Sequence, residues 1–293
     1  MNDETAKRRA LAQRVADAYR RELNACAAAL FGSTSRNLAD EYSDIDMTVF
    51  FTELPERTAA MTAVARVLGA TDWKKLWEGD DNGFADTFVA DGIECQVGSS
   101  TLAYLEEIME DVLLRNDTDH DKHTIMGGYI HALPLYGGEI VERWRKRIEA
   151  YPPDLAREMV RAHLDFRPLW LLRKRFAGRD TLIVFHSLMS DLSRKLLGVH
   201  LGLNRIYPEH DFKRLGDLTA RMTIAPRDFD RRLRTLMNSD YESALREARG
   251  LIEETFALVE RHMPELDITE ARSKFDRPDP VAMARRMQNI GTT

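Results

Sequence analysis

Apolar residues recur at spacings of three and four from about Glu4 to Leu30. Leu11, Val15, Ala18, Tyr19, Leu23, Cys26 and Leu30 would share one face of a single long helix. A Gly32-Ser33 turn ends that pattern, and the period then changes. Ile45, Met47 and Val49 alternate with polar neighbours, and Met47–Phe51 predicts the first strand. Pro55 stands where a helix begins, and Met61, Val64, Val67 and Leu68 give that helix its apolar face. After the polar segment 79–83, Phe84–Val89 reads as a strand. Ala90-Asp91-Gly92 reads as a hairpin turn leading into Ile93–Val97. Leu102, Leu105, Ile108, Met109 and Val112 mark another amphipathic helix. This order predicts a small mixed sheet flanked by helices.

Tyr151-Pro152-Pro153 is the expected boundary, because consecutive prolines break a helix and stiffen a connection. Beyond it the periodicity is helical over about 154–176, 181–200, 210–221, 228–238 and 241–262. The fold class expected is α+β. Residues 1–150 would form a mixed-sheet catalytic domain and residues 151–264 a helical bundle walling the other side of a cleft. Residues 265–293, polar and carrying Pro278 and Pro280, would form a loosely attached tail.

A chain of 293 residues has room for two cores. Its formal net charge of −6 speaks against a dedicated nucleic-acid binder, which would show a basic stripe. Arg143, Arg145, Lys146 and Arg147, and separately Arg173, Lys174 and Arg175, are the compact basic clusters. Both read as solvated helix faces. Cys26 and Cys95 fall in apolar patterns and read as buried thiols. The amino-terminal segment is polar and no apolar run approaches spanning length, so the expected location is cytoplasmic, with no membrane partner.

The chemistry concentrates in Gly32-Ser33-Thr34-Ser35-Arg36 and Ser43-Asp44-Ile45-Asp46. Side chains two apart on a strand share a face, so Asp44 and Asp46 would project together, about 6.5–7 Å apart along the backbone. Paired carboxylates repel unless a cation lies between them, and such oxygen ligands suit Mg²⁺ completed by substrate phosphates. Glycine allows a tight turn and close approach, while the Ser33 hydroxyl and nearby backbone N–H groups can hold phosphates. Arg36 is placed to contact them as well. Glu94, on a later strand with Ile93, Cys95 and Val97 facing inward, is the third carboxylate expected. It would serve as a metal ligand or as a general base, provided its strand neighbours the one bearing the aspartates. The run 117–123, rich in Asp and His, lacks diagnostic ligand spacing and reads as a mobile charged loop. His163, His186, His200 and the tryptophans read as packing or surface residues.

Gly32-Ser33 followed after ten residues by Asp44-Ile45-Asp46 resembles the signature of the nucleotidyltransferases related to DNA polymerase beta. The form Gly-Ser-x-x-Arg…Ser-Asp-Ile-Asp resembles small bacterial members, including the aminoglycoside and lincosamide enzymes. Asn37 stands where many members have glycine. The resemblance implies transfer of a nucleoside monophosphate from a triphosphate, with ATP and two Mg²⁺ ions as co-substrate and cofactor, onto a hydroxyl of a small-molecule acceptor such as an antibiotic. It also supports a third carboxylate from a later strand. Leu133–Gly138 would be the closing strand and turn of the catalytic domain, with Tyr136 in packing or at the nucleotide's border. In the helical domain Gly178-Arg179-Asp180, Asn204…Tyr207 and Lys213 resemble a further family pattern. By it Lys213 would reach the triphosphate, and Asn204 or Tyr207 would line the cleft. From the residues themselves, Asp180 reads as a helix cap and Asn204 equally as a helix C-terminal residue. Two other functions stay open: nucleotidyl transfer to RNA or protein, and a non-catalytic nucleotide-binding regulatory module.

Overall fold

The computed structural model describes residues 2–79, 82–176, 181–208, 212 and 214–283. The chain divides into two compact units, residues 1–151 and 152–293.

In the first unit, helix α1 (Asp3–Leu23) is capped by the Asn2 side chain, which accepts from the Thr5 N–H. It buries Leu11, Val15, Ala16 and Tyr19. It is shorter than the periodicity predicts. Asn24 turns left-handed at φ 55°, and residues after it enter strand β1 (Ala27–Leu30). The alanines of β1 have strong helix propensity, yet every residue of this strand is buried. Their small side chains leave room for packing on both sheet faces, and tertiary pairing overrides the local preference. A single turn, α2 (Gly32–Ser35), follows. Then come β2 (Ile45–Phe51), α3 (Arg57–Leu68), β3 (Thr71–Glu78), β4 (Gly83–Ala90) and β5 (Ile93–Thr101). Helices α4 (Leu102–Arg115) and α5 (His120–Ile130), strand β6 (Leu133–Tyr136) and α6 (Gly138–Glu149) complete the unit.

The six strands form one mixed sheet in the order β3-β4-β5-β2-β1-β6. The β2–β5 pair is parallel, and the other pairs are antiparallel. Asp91 and Gly92 both take positive φ between β4 and β5, the conformation a two-residue hairpin turn requires. Ile45, Met47, Val49 and Phe51 join Cys95, Val97 and Phe88 in the core shared with α1 and α3. On the opposite face Phe50 packs edge-on against Trp144, with ring centroids 5.0 Å apart. Within β4, Asp86 is 1% exposed and accepts from Arg57 Nε of α3 at 2.7 Å.

The charged run 117–123 is built into the unit rather than forming a mobile loop. Asp119 caps α5 by accepting from the N–H groups of Asp121 and Lys122. Lys122 Nζ bridges Asp111 and Asp117 at 2.6 Å each, and His123 is fully buried. The Lys122 ammonium holds both carboxyls below their usual range.

The second unit is helical: α7 (Pro153–His163), α8 (Leu169–Phe176), α9 (Leu182–Asn204), α10 (Leu215–Ala220), α11 (Phe229–Asn238), α12 (Tyr241–His262) and α13 (Thr269–Phe275). Pro153 occupies the first turn of α7, where its missing N–H loses nothing. Gly198 and Gly202, one turn apart, let α9 approach α7. A Cβ at Gly198 would strike the His163 ring, and one at Gly202 would crowd Val160. In the segment expected as a tail, Leu266, Ile268 and Phe275 are buried, and Phe275 packs on Phe256. Among the described residues no helix is long and apolar enough to cross a membrane.

Candidate active site

The pairing of β1 with β2 sets Leu30 beside Met47, so the chain leaving β1 passes directly over the start of β2. The Phe31 N–H donates to the Asp46 carbonyl at 2.7 Å. Gly32 then turns at φ +64°, a left-handed conformation that L side chains rarely adopt. A Cβ here would collide with the Asp46 carboxylate. Glycine is therefore required twice, by backbone angle and by the space the carboxylate occupies. The Ser35 hydroxyl donates to the Gly32 carbonyl at 3.1 Å, and the Leu38 N–H donates to the Ser33 carbonyl at 2.9 Å. Asn37 sits at φ 62°, a left-handed conformation that asparagine tolerates better than most L-residues. Ser33 and Arg36 are half-buried beside this turn.

Asp44 and Asp46 are both half-buried and lie on the face opposite the core-directed Ile45 and Met47. Asp44 is held from two sides. Its carboxylate accepts from Gln96 Nε2 at 2.9 Å, and its carbonyl accepts from the Thr34 hydroxyl at 3.4 Å. Strand β5 runs alongside β2, with Asp46 opposite Gln96 and Ile45 opposite Cys95. Carried one residue further back, that register brings Glu94 beside Asp44. Glu94 is exposed on the same face as Gln96 and accepts from the Thr87 hydroxyl at 3.0 Å. On the other face, burial pushes the Cys95 thiol up to about 12, and the charges of Asp91, Asp44 and Glu94 add to the effect. This end of the sheet is electronegative.

Two carboxylates projecting together, with a glycine clearing the space over one of them, fit the donor set of a magnesium ion, which takes one or two carboxylates and leaves positions for phosphates. Among the described residues no three Asp, Glu, His or Cys side chains form one group able to hold a metal. The structure thus sets Asp44 and Asp46 on one face, while Glu94, expected to join them as a third ligand, is engaged with Thr87 on the neighbouring strand and completes no three-carboxylate group with them. Gln96 is the addition that sequence reasoning did not assign. Its signal was the alternation of β5, which set it on the Glu94 face.

The family-pattern residues of the second unit fall differently. Lys213 and Asp180 lie outside the described residues. Asn204 spends its whole side-chain amide on packing. Nδ2 donates to the carbonyls of His200 and Ile224, and Oδ1 accepts from the Ile224 N–H and the Thr223 hydroxyl. The left-handed residue ending α9 is Arg205 rather than Asn204. Tyr207 is buried, and burial raises its phenol well above the usual range. Tyr136 sits in β6 with the Arg20 guanidinium over its ring, 5.4 Å from the centroid.

Residues 13–117 match the family model of the nucleotidyltransferase domain, a span holding the Gly-Ser turn, both aspartates and Glu94. None of the curated proteins compared matches the chain. Among solved structures, the Cid1 poly(U) polymerase is 17% identical over 44% of this chain and 41% of its own, with a TM-score of 0.27. The chain thus spans about two fifths of that polymerase. A nucleotidyltransferase-like protein from Exiguobacterium sibiricum is 11% identical over 95% of this chain and 82% of its own, at 0.36. A cytoplasmic RNA terminal U-transferase is 14% identical over 96% and 91%, at 0.29.

Proposed function

We propose that the protein transfers a nucleoside monophosphate, AMP from ATP, to a hydroxyl of a small-molecule acceptor. The observation that carries this reading is Gly32 turned directly over the carboxylate of Asp46, with Asp44 fixed beside it by Gln96. Asp44 and Asp46 would hold Mg²⁺, which when bound supplies positive charge to the phosphate oxygens at the attacked phosphorus. Ser33 donates its hydroxyl to a phosphate oxygen, and Arg36 offsets the triphosphate's charge. Glu94 takes the proton from the acceptor hydroxyl. Its exposure, and the lack of a three-carboxylate group among the described residues, support base over ligand. The acceptor oxygen forms a bond to the α-phosphorus, the bond from that phosphorus to the bridging oxygen breaks, and pyrophosphate leaves. Most of the catalysis is positioning and charge stabilisation.

The acceptor class follows from charge. The face around Asp44, Asp46 and Glu94 suits a cationic acceptor of aminoglycoside type. A polynucleotide needs a continuous basic track, and two of the four residues in the α6 basic cluster already bind acidic or backbone partners. Arg145 binds the carboxylate of Glu142 and the carbonyls of Ala132 and Tyr129, while Arg143 meets Glu106 at 3.4 Å. Incubation with α-labelled ATP and Mg²⁺ against aminoglycosides, lincosamides, short RNAs and whole-cell protein tests the assignment. Label should appear on a small molecule. Label found only on RNA or protein would overturn the acceptor class, and absence of any nucleotide turnover or binding would overturn the chemistry.

A further inference from the structure

Residues 34–43 link the phosphate-facing turn to the aspartate pair, and beyond α2 they contain no helix or strand. Two adjacent arginines of α1 hold this link at both ends. Arg9 Nε donates to the Thr34 carbonyl at 3.1 Å, and its Nη2 donates to the Ser35 carbonyl at 2.6 Å. Arg8, only 4% exposed at its side chain, donates from Nε to the Ser43 carbonyl at 2.6 Å and from Nη2 to the Glu41 carbonyl at 3.1 Å. Its third nitrogen binds the Glu4 carboxylate one turn earlier on α1. Asn2 adds a bond from Nδ2 to the Ala39 carbonyl at 2.9 Å.

Each guanidinium spans two successive or nearby carbonyls, which its planar fork of donors allows and a lysine ammonium on a flexible stem does not. The grip is on backbone, so it fixes where the loop runs whatever side chains the loop carries. Its two anchor points fall next to Ser33 on one side and next to Asp44 on the other. The Thr34 hydroxyl, reaching the Asp44 carbonyl, ties the two ends to each other.

We infer that Arg8 and Arg9 are positioning residues that clasp this loop to α1, setting the spacing between Ser33 and Asp44 before a nucleotide arrives. This rests on the nucleotidyl-transfer reading for its consequence in turnover, though not for the clasp itself. Pre-set donors and ligands raise the rate by removing reorganisation at the moment of reaction.

Arg9 is the residue to vary, since truncating the buried Arg8 can unfold the unit. The full-length variants Arg9→Gln and Arg9→Lys are compared with the parent by hydrogen exchange at the Leu38 amide and at the Val49 core amide, and by kcat and KM for ATP. The expected result is at least tenfold faster exchange at Leu38 with Val49 unchanged, together with a fall of about tenfold or more in kcat/KM. Arg9→Lys, which keeps the charge, should fail to restore either quantity. Unchanged exchange at Leu38, faster exchange with unchanged kcat/KM, or a lysine variant equal to the parent would each overturn the inference. If the parent itself neither binds nor turns over nucleotide, the functional reading fails, and the exchange comparison alone decides the clasp.

Discussion

Replacing Gly32 with alanine should damage the active site more than the fold, and Gly92 supplies the control. Gly92 has φ +74° in the β4–β5 turn, where a Cβ would meet no atom within 4 Å, whereas Gly32 has φ +64° with the Asp46 carboxylate in the way. The left-handed conformation alone costs an L-residue about 1–2 kcal/mol. Gly92→Ala should lose that much and no activity. Gly32→Ala carries the same strain plus an overpacking term of about 1–3 kcal/mol, because the carboxylate or the turn must shift. For a unit of this size each kcal/mol lowers the melting temperature by about 2–4 °C. The larger effect falls on turnover, where displacing a reacting group by about 1 Å can lower the rate about a hundredfold. Thermal unfolding and pyrophosphate release, measured on both variants, separate the two contributions. If Gly32→Ala matched Gly92→Ala in both stability and turnover, the close approach of Gly32 to Asp46 would have no functional weight.

Other outcomes follow from buried and neighbouring charges. Glu94→Gln should depress turnover while leaving nucleotide and metal affinity near the parent value. Loss of affinity in a binding titration would instead make Glu94 a ligand. Arg57→Met leaves the buried Asp86 carboxylate without its cation and should destabilise the first unit by about 3–5 kcal/mol in denaturant unfolding. The double variant Arg57→Met with Asp86→Leu should recover much of that loss. His200, between the Ile224 carbonyl and Thr255, is lowered by burial from 6.5 to about 4. Below about pH 6.5 the unfolded chain binds a proton the folded chain refuses. Stability of the second unit should therefore fall between pH 6.5 and 4, by on the order of 3 kcal/mol in all, and His200→Gln should flatten that slope.

The sheet-plus-helices class and the Gly-Ser turn with its aspartates were legible because each rests on residues adjacent in sequence. The alternation of Ile45, Met47 and Val49 alone set Asp44 and Asp46 on the other face. Strand β1 was not legible. Ala27–Leu30 continues the helical spacing of α1, and only pairing with β2 and β6 makes it extended. Strand β3 was hidden for the opposite reason, since nearly all of Thr71–Glu78 is exposed at the sheet edge and carries no alternating pattern. Arg8 and Arg9 look like any solvated helical arginines, and their targets are backbone carbonyls about 25–35 residues away, which no side-chain motif encodes. Asn204 and Tyr207 fit the spacing of the family pattern, while in the fold the amide of one is bonded within the helical unit and the ring of the other is buried there.

The central claim is that Asp44 and Asp46 make the amino-terminal unit a metal-dependent nucleotidyl-transfer site. Pyrophosphate release from ATP, measured with Mg²⁺ as the sole divalent metal and an accepting small molecule present, tests it most directly across the parent, Asp44→Asn and Asp46→Asn proteins. The parent should turn over, and each variant should lose activity by at least a thousandfold while unfolding at or above the parent temperature, since removing one of two neighbouring like charges relieves repulsion. Near-parent turnover in both variants would contradict the assignment.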